Sequence, residues 1–184
     1  MRFNTFIATT GESLTRATRS NGGSWLVETL LPGIQINCFA TDAHNPNVAY
    51  AGTKGSGVLR SKDWGKTWHS VGMEGQVVKS LVVSSLEPGV LYAGTKPPAV
   101  FVSRDAGQKW TELESFRQMR QPSWYTPAEP GDPYVLGLAV SPVDPNIILA
   151  GVEYGAVLRS AVGGQTWQKL PFSLGHIGRS LMML

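Results

Sequence analysis

The 184-residue sequence contains a single cysteine, Cys38, and no apolar run long enough to cross a membrane. One cysteine excludes an internal disulfide, so we expect Cys38 to be a buried free thiol. Residues 1–6 lack the apolar stretch of a signal peptide. These absences predict a cytoplasmic chain without a membrane partner.

Positive and negative residues nearly balance, since 16 Lys and Arg and 13 Asp and Glu give a net charge of +3. Arg19, Lys62 and Arg104 occupy matching exposed turn positions instead of one basic stripe, so we expect no nucleic-acid partner. None of the three histidines stands at ligand spacing with cysteine or an acidic residue. The sequence therefore predicts no metal site, and it contains no motif for another cofactor.

No segment keeps a helical period of apolar residues. Instead, apolar runs of four to eight residues, rich in Val, Ile and Leu, alternate with turns of Gly, Pro, Asn and Asp. This pattern is typical of strands joined by turns. With 42% hydrophobic residues, the chain can build one core, and we expect a single all-β domain over residues 1–184.

A glycine followed three residues later by a tryptophan occurs four times, and the tryptophans are 43, 42 and 57 residues apart. Two copies read Ser-x-Asp-x-Gly-x-x-Trp, the last has Val162 in place of the aspartate, and the copy that ends at Trp25 is the most degenerate. The residues of the three clear copies are Ser61, Asp63, Gly65 and Trp68, then Ser103, Asp105, Gly107 and Trp110, and finally Ser160, Gly164 and Trp167.

Four predicted strands in about 42 residues match one blade of a β-propeller. The blade repeats end near residues 31, 74, 114 and 171. The chain begins in the second strand of a blade and ends in the first strand of another, at 177–184. This arrangement predicts four four-stranded antiparallel blades in circularly permuted register. The last strand either closes the first blade or belongs to a larger propeller, and a free edge there would favour self-association.

The repeated turn resembles the Asp-box, or bacterial neuraminidase repeat (BNR), of the sialidase-like β-propellers. That family includes sialidases, xyloglucan-type endoglucanases, sortilin-type receptors and photosystem assembly factors, so the fold does not choose a function. In the family the box lies on the face away from the substrate site and has a structural role. The resemblance therefore implies that Asp63 and Asp105 support the turn and are not catalysts.

The third tryptophan spacing exceeds the repeat by 15 residues, and the extra residues form an insertion at 114–133. Long loops in compact domains are functional or disordered. This one carries Arg117, Arg120, Trp124 and Tyr125, and aromatic rings beside arginine suit a sugar face or an acidic ligand. The alternative is that Trp124 and Tyr125 pin the loop onto the propeller rim.

The turns between the second and third strands of the blades place Lys54, Lys96 and Glu153 at equivalent positions, with Tyr154 beside Glu153. If the repeated turns occupy one face, these residues and the insertion share the other face. We therefore predict a non-catalytic binding or scaffold module with a glycan or protein ligand on that face.

The alternative function is a sialidase-like or xyloglucanase-like glycoside hydrolase. Glu153 next to Tyr154 resembles the Tyr/Glu pair of sialidases, and Asp132 in the insertion is a second candidate carboxylate. A hydrolase of this type uses two carboxylates across the scissile bond. No spacing in the sequence singles out such a pair.

Overall fold

The computed structural model describes residues 4–9, 12–127 and 131–171. Within these ranges the chain forms four antiparallel sheets and one single-turn helix. The first sheet has three strands: β1 (Thr5–Thr9), β2 (Leu14–Arg19) and β3 (Trp25–Leu30). The predicted strand at 177–184 lies outside the described residues, so the closure of the first sheet stays a prediction.

The other three sheets have four strands each, paired in chain order. The second sheet contains β4 (Ile36–Thr41), β5 (Ala49–Thr53), β6 (Val58–Ser61) and β7 (His69–Ser70). The third contains β8 (Val77–Val83), β9 (Leu91–Lys96), β10 (Val100–Ser103) and β11 (Thr111–Glu112), and α1 (Glu114–Arg117) follows it. The fourth contains β12 (Val135–Val140), β13 (Ile148–Val152), β14 (Val157–Ser160) and β15 (Gln168–Lys169). The prediction of an all-β propeller with four blade equivalents is confirmed.

The first strands of neighbouring sheets pack on one another, since β8 contacts both β4 and β12. A glycine in the second strand of the preceding sheet makes this approach possible. A Cβ on Gly52 would come within 2.7 Å of Val78 Cγ1, and one on Gly94 within 2.6 Å of Val135 Cγ1. The repeated Ala-Gly of the sequence therefore marks the joint between one blade and the next.

Two sets of connections lie at opposite ends of the strands. On one face, the first turn of each complete sheet bonds to the repeated turn: Trp64 N–H donates to the Asn47 carbonyl at 3.0 Å, and Gly163 N–H donates to the Asn146 carbonyl at 3.0 Å. We call this the repeat-turn face. At the other end, the Lys54 N–H donates to the Gln35 carbonyl at 3.0 Å, in the connection that enters the same sheet. We call this the connection face.

The repeated turn is closed by its own serine and aspartate. Asp63 Oδ1 accepts hydrogen bonds from the Thr67 N–H at 2.9 Å, the Lys66 N–H at 3.0 Å and the Ser61 hydroxyl at 2.8 Å. These donors, the Thr67 backbone N–H foremost, hold the pKa of Asp63 well below its ordinary value. Asp105 is held in the same way, with the Lys109 N–H as the main cause of its lowered pKa.

The first sheet does not contain the repeated turn, so the interpretation of Trp25 as its fourth copy is wrong. Residues 20–24 form a tight hairpin in which the Ser20 N–H donates to the Ser24 carbonyl at 2.8 Å. Trp25 pairs with Arg19 inside the sheet, is 44% exposed and contacts the Phe6 ring. The Gly-x-x-Trp spacing alone does not make the turn, because the serine whose hydroxyl accepts the glycine N–H in the other three turns is missing.

No helix among the described residues is long and apolar enough to span a membrane. Over the same ranges, no group of three or more His, Cys, Asp or Glu is arranged to hold a metal ion. Burial raises the pKa of the Cys38 thiol to about 12, so Cys38 is a protonated thiol at neutral pH.

Candidate binding site on the connection face

The insertion is anchored by two aromatic side chains that enter the core between the third and fourth sheets. Phe116 is fully buried and packs edge-to-face on Trp167, with ring centroids 5.3 Å apart. Trp124 is 6% exposed and supports the β13–β14 turn, since a Cβ on Gly155 would lie 2.9 Å from Trp124 Cγ. Trp124 therefore pins the loop onto the propeller, as the alternative prediction had it. A ligand on the surface cannot reach its ring.

The two arginines of the insertion are neutralised within the loop. Arg117 pairs with Glu114 and, at 3.5 Å, with Glu112, and the Glu114 carboxylate raises its pKa. Arg120 pairs with Asp132. The structure does not bring these arginines together as a site for an acidic ligand, and it commits Asp132 to an ion pair.

Tyr125 and Tyr154 form an exposed aromatic pair at the edge of the insertion. Each is 52% exposed, and the ring centroids are 5.2 Å apart with planes inclined by 42°. Tyr154 belongs to the β13–β14 turn, in which the Gly155 N–H donates to the Val152 carbonyl at 3.2 Å. Its φ of +40° lies in the left-handed region, which is costly for a bulky residue.

Glu153 precedes Tyr154 in the same turn and contacts a tyrosine that the sequence did not single out. Burial, followed by the hydrogen bond and charge of Glu153, raises the pKa of Tyr134 to about 12. Glu153 thus contacts Tyr134, and its likeness, together with Tyr154, to the Tyr/Glu pair of sialidases stays a prediction. Glu153 Oε2 is buried and has no hydrogen-bond partner among the described residues.

Lys79 completes this cluster from the neighbouring first strand, β8. Its Nζ lies 5.0 Å from the centroid of the Tyr134 ring, a cation–π arrangement. Neither residue was predicted, because they are far apart in sequence. One signal was available in the sequence. Tyr134 immediately precedes β12, whereas the residues that immediately precede β4 and β8 are Gln35 and Gln76.

The two lysines predicted for this face belong to other sheets than Glu153 and Tyr154. Lys54 belongs to the second sheet, where it lines a separate shallow cavity of about 260 Å³ together with Gly33, Ile34, Gln35, Thr53, Gly55 and Ser56. Lys96 ends β9 in the third sheet. The structure therefore joins Tyr125, Glu153 and Tyr154 from the predicted set and adds Tyr134 and Lys79.

A larger open cavity of about 460 Å³ lies on the repeat-turn face, between the third and fourth sheets. Its charged lining residues are Arg104, Asp105 and Lys109. Because the Asp105 carboxylate already accepts hydrogen bonds from its own turn, this cavity has no free carboxylate for chemistry.

Comparison with known proteins identifies the fold. No family model matches the chain, and none of the curated proteins matches it. Among solved β-propeller structures, the GH74 enzyme of Niastella koreensis is 20% identical with a TM-score of 0.65, over 90% of this chain and 27% of that one. An ancestral GH74 enzyme is 17% identical with a TM-score of 0.66, over 93% and 23% of the two chains. YCF48 from Cyanidioschyzon merolae is 22% identical with a TM-score of 0.52, over 76% and 38%.

These likenesses are similarities of fold. The chain spans about a quarter of the length of the two GH74 enzymes.

Proposed function

We propose that this chain is a non-catalytic binding or scaffold module of the Asp-box β-propeller kind, with a glycan or protein ligand on the connection face. The observation that carries the proposal is the Tyr125–Tyr154 pair beside Glu153. Two large exposed rings meet there, and one of them stands on strained backbone. Strained residues in a folded protein occur preferentially at sites of binding or catalysis.

The carboxylates support binding over hydrolysis. A general acid must carry its proton at the working pH. The donors around Asp63 and Asp105 lower the pKa of both carboxyls, which keeps them ionised on the face away from the cluster. Asp132, the insertion candidate, is occupied by Arg120. Of the two candidate carboxylates, Glu153 and Asp132, this leaves Glu153 at the site. Glycoside hydrolysis by two carboxylates needs a second one.

In this proposal the repeated turns are structural joints. Trp110 Nε1 donates to the Val71 carbonyl of the preceding sheet at 2.8 Å, and the Arg60 guanidinium of that sheet donates to the Ala106 carbonyl at 2.7 Å. Both bonds cross from one sheet to the next, so the turn holds neighbouring blades together. The Asp-box role proposed for these residues accounts for their position, and it leaves the connection face for the ligand.

Binding to a glycan array and a peptide array tests the proposal. We expect the wild type to bind members of one array, Tyr154→Asn to lose that binding, and Lys62→Ala, a matched change on the repeat-turn face, to keep it. Turnover of xyloglucan and chromogenic glycosides is measured in parallel with Glu153→Gln and Asp132→Asn. Turnover by the wild type that either variant abolishes would replace the binding module with a hydrolase.

A further inference from the structure

We infer that the side of the first sheet that points away from the second sheet is an interface for the fourth sheet of a second copy of this chain. We call it the outward side of the first sheet. Two chains that meet in this way at both ends form a closed ring of eight sheets, four from each copy. Propellers usually have about four to eight blades, so this ring has an ordinary size.

The outward side of the first sheet is apolar and uncovered. Phe6, Val27 and Trp25 are 56%, 62% and 44% exposed, and the Phe6 and Trp25 rings are in contact with centroids 5.3 Å apart. The strand register puts them on one side, because Phe6 and Val27 both pair with Ala17 and side chains alternate along a strand. Exposed apolar side chains that touch one another in this way mark interaction surfaces.

The same side is covered in each of the other three sheets. In the second sheet it carries Ala51 and Trp68, which pack in one cluster with Leu14 of the first sheet. The corresponding side of the third sheet packs on the second sheet, and that of the fourth packs on the third. The outward side of the first sheet therefore continues a series of sheet-to-sheet interfaces, and another sheet of the same kind fits it.

The fourth sheet carries the other half of such an interface. Arg159 takes the place of Arg60 in a shared Val-Leu-Arg-Ser sequence, and the Arg60 guanidinium crosses to the next sheet to donate to the Ala106 carbonyl at 2.7 Å. No sheet follows the fourth among the described residues. Its first strand is open on this side, since a Cβ on Gly137 would meet nothing within 4 Å and Ala139 is exposed.

A second copy is the occupant that these observations favour. Within one chain the fourth sheet does not cover the first, because Phe6, Trp25 and Val27 stay exposed. Each copy offers both halves of the interface, so two copies can satisfy each other. The inference goes beyond the proposed function and does not depend on it, since none of these residues belongs to the candidate site on the connection face.

The test measures the mass of the full chain in solution by sedimentation and light scattering. We expect twice the 19.9 kDa of one chain. Val27→Glu puts a charge on the outward side and is expected to weaken self-association by at least about tenfold. Leu26→Glu is the matched control, because Leu26 is equally 62% exposed on the same strand but faces the opposite side. It should keep the wild-type mass.

Arg159→Ala tests the other half of the interface and should also weaken self-association. Thermal melts confirm that each variant is folded. A wild-type chain with the mass of one copy at every concentration up to the millimolar range would overturn the inference. A doubled mass that survives a folded Val27→Glu variant would also overturn it and would point to another surface, such as the edge predicted at 177–184. Equal effects of Val27→Glu and Leu26→Glu would contradict the assignment to the outward side.

Discussion

The Ser115 hydroxyl donates a hydrogen bond of 2.5 Å to the Gly164 carbonyl, which ties the insertion to the repeated turn of the fourth sheet. In the second sheet the equivalent carbonyl, that of Gly65, accepts the indole N–H of Trp68 at 3.1 Å. The insertion has therefore taken the acceptor that a tryptophan uses elsewhere in the fold.

The insertion also takes the second acceptor. The Val71 carbonyl that receives the Trp110 indole N–H corresponds to the Leu113 carbonyl. Leu113 immediately precedes α1, and its carbonyl accepts from the Phe116 N–H at 2.9 Å. Both carbonyls accept a donor from the insertion, and Trp167 Nε1 is buried without a partner among the described residues. The unsatisfied N–H is a local cost of inserting residues 114–133.

A double-mutant cycle between Ser115 and Trp167 tests this competition. Ser115→Ala releases the Gly164 carbonyl for the Trp167 indole N–H, so we expect a loss below about 0.5 kcal/mol in the wild-type background. In the Trp167→Phe background nothing replaces the serine, and the same change should cost about 1 kcal/mol. Urea unfolding measures both values. Equal costs in the two backgrounds would show that Trp167 does not compete for Gly164.

Two of the repeated-turn tryptophans should also differ in their response to phenylalanine. Trp110→Phe removes a 2.8 Å hydrogen bond to Val71, whereas Trp167→Phe removes an N–H that has no acceptor. We expect Trp110→Phe to cost about 1 kcal/mol more free energy of unfolding than Trp167→Phe. Both changes shrink the ring, and Trp167 loses more packing because it is the more buried of the two, so the difference is a lower bound on the hydrogen bond. A larger loss for Trp167→Phe would contradict the assignment.

Replacing Tyr154 should separate stability from binding. Tyr154→Asn relieves a left-handed backbone that asparagine tolerates, so we expect the free energy of unfolding to rise by about 1 kcal/mol while ligand binding is lost. Tyr125→Ala, the control, removes the other ring without relieving strain and should bring no gain in stability. Thermal and urea unfolding decide the point. A destabilised Tyr154→Asn variant would assign the ring to the fold.

The repeated turns should lose their stabilising effect in acid. The pKa of Asp63 is lowered in the folded chain, so its contribution is present above the ordinary aspartate pKa of about 4 and is lost as the pH falls through the folded value. Asp63→Asn should therefore lower stability at pH 7, with a difference from wild type that shrinks in acid. Urea unfolding across this range measures the change.

The fourth sheet provides the reverse substitution. Val162 occupies the aspartate position there, and its N–H already donates to the Ser160 hydroxyl at 3.2 Å, as the Asp63 N–H does to Ser61. Val162→Asp should raise stability at pH 7 and have no such effect in acid. A stabilisation that persists in acid would point to a cause other than the carboxylate.

The fold was predictable because the sequence motif of one blade occurs several times along the chain. The apolar runs at 77–83 and 135–140 coincide with β8 and β12, and three copies of the turn support one another. The first sheet shows the limit of this reasoning. A single degenerate copy cannot distinguish the repeated turn from a plain hairpin, and Trp25 was assigned to the wrong one.

The site was only partly predictable, since its residues meet through the fold. Tyr125, Glu153 and Tyr154 stand on unusual segments and could be proposed from the sequence. The ion pairs of Arg117 and Arg120 depend on the path of the insertion, which no periodicity describes. Lys79 lies where the register between β8 and β9 shifts, between Val78 and Ser80, and no sequence pattern marks it as a neighbour of Tyr134.

Mapping of the bound ligand on the chain by nuclear magnetic resonance tests the central claim most directly. The chain is labelled with ¹⁵N and titrated with the glycan or peptide that binds most tightly on the arrays while the amide shifts are followed. If the ligand binds the connection face, we expect amide shifts at Tyr125 and in the 152–156 turn. The amides of the repeated turns at 61–68 and 103–110 should not shift. Shifts concentrated in those repeated turns, with the 152–156 turn unchanged, would contradict it.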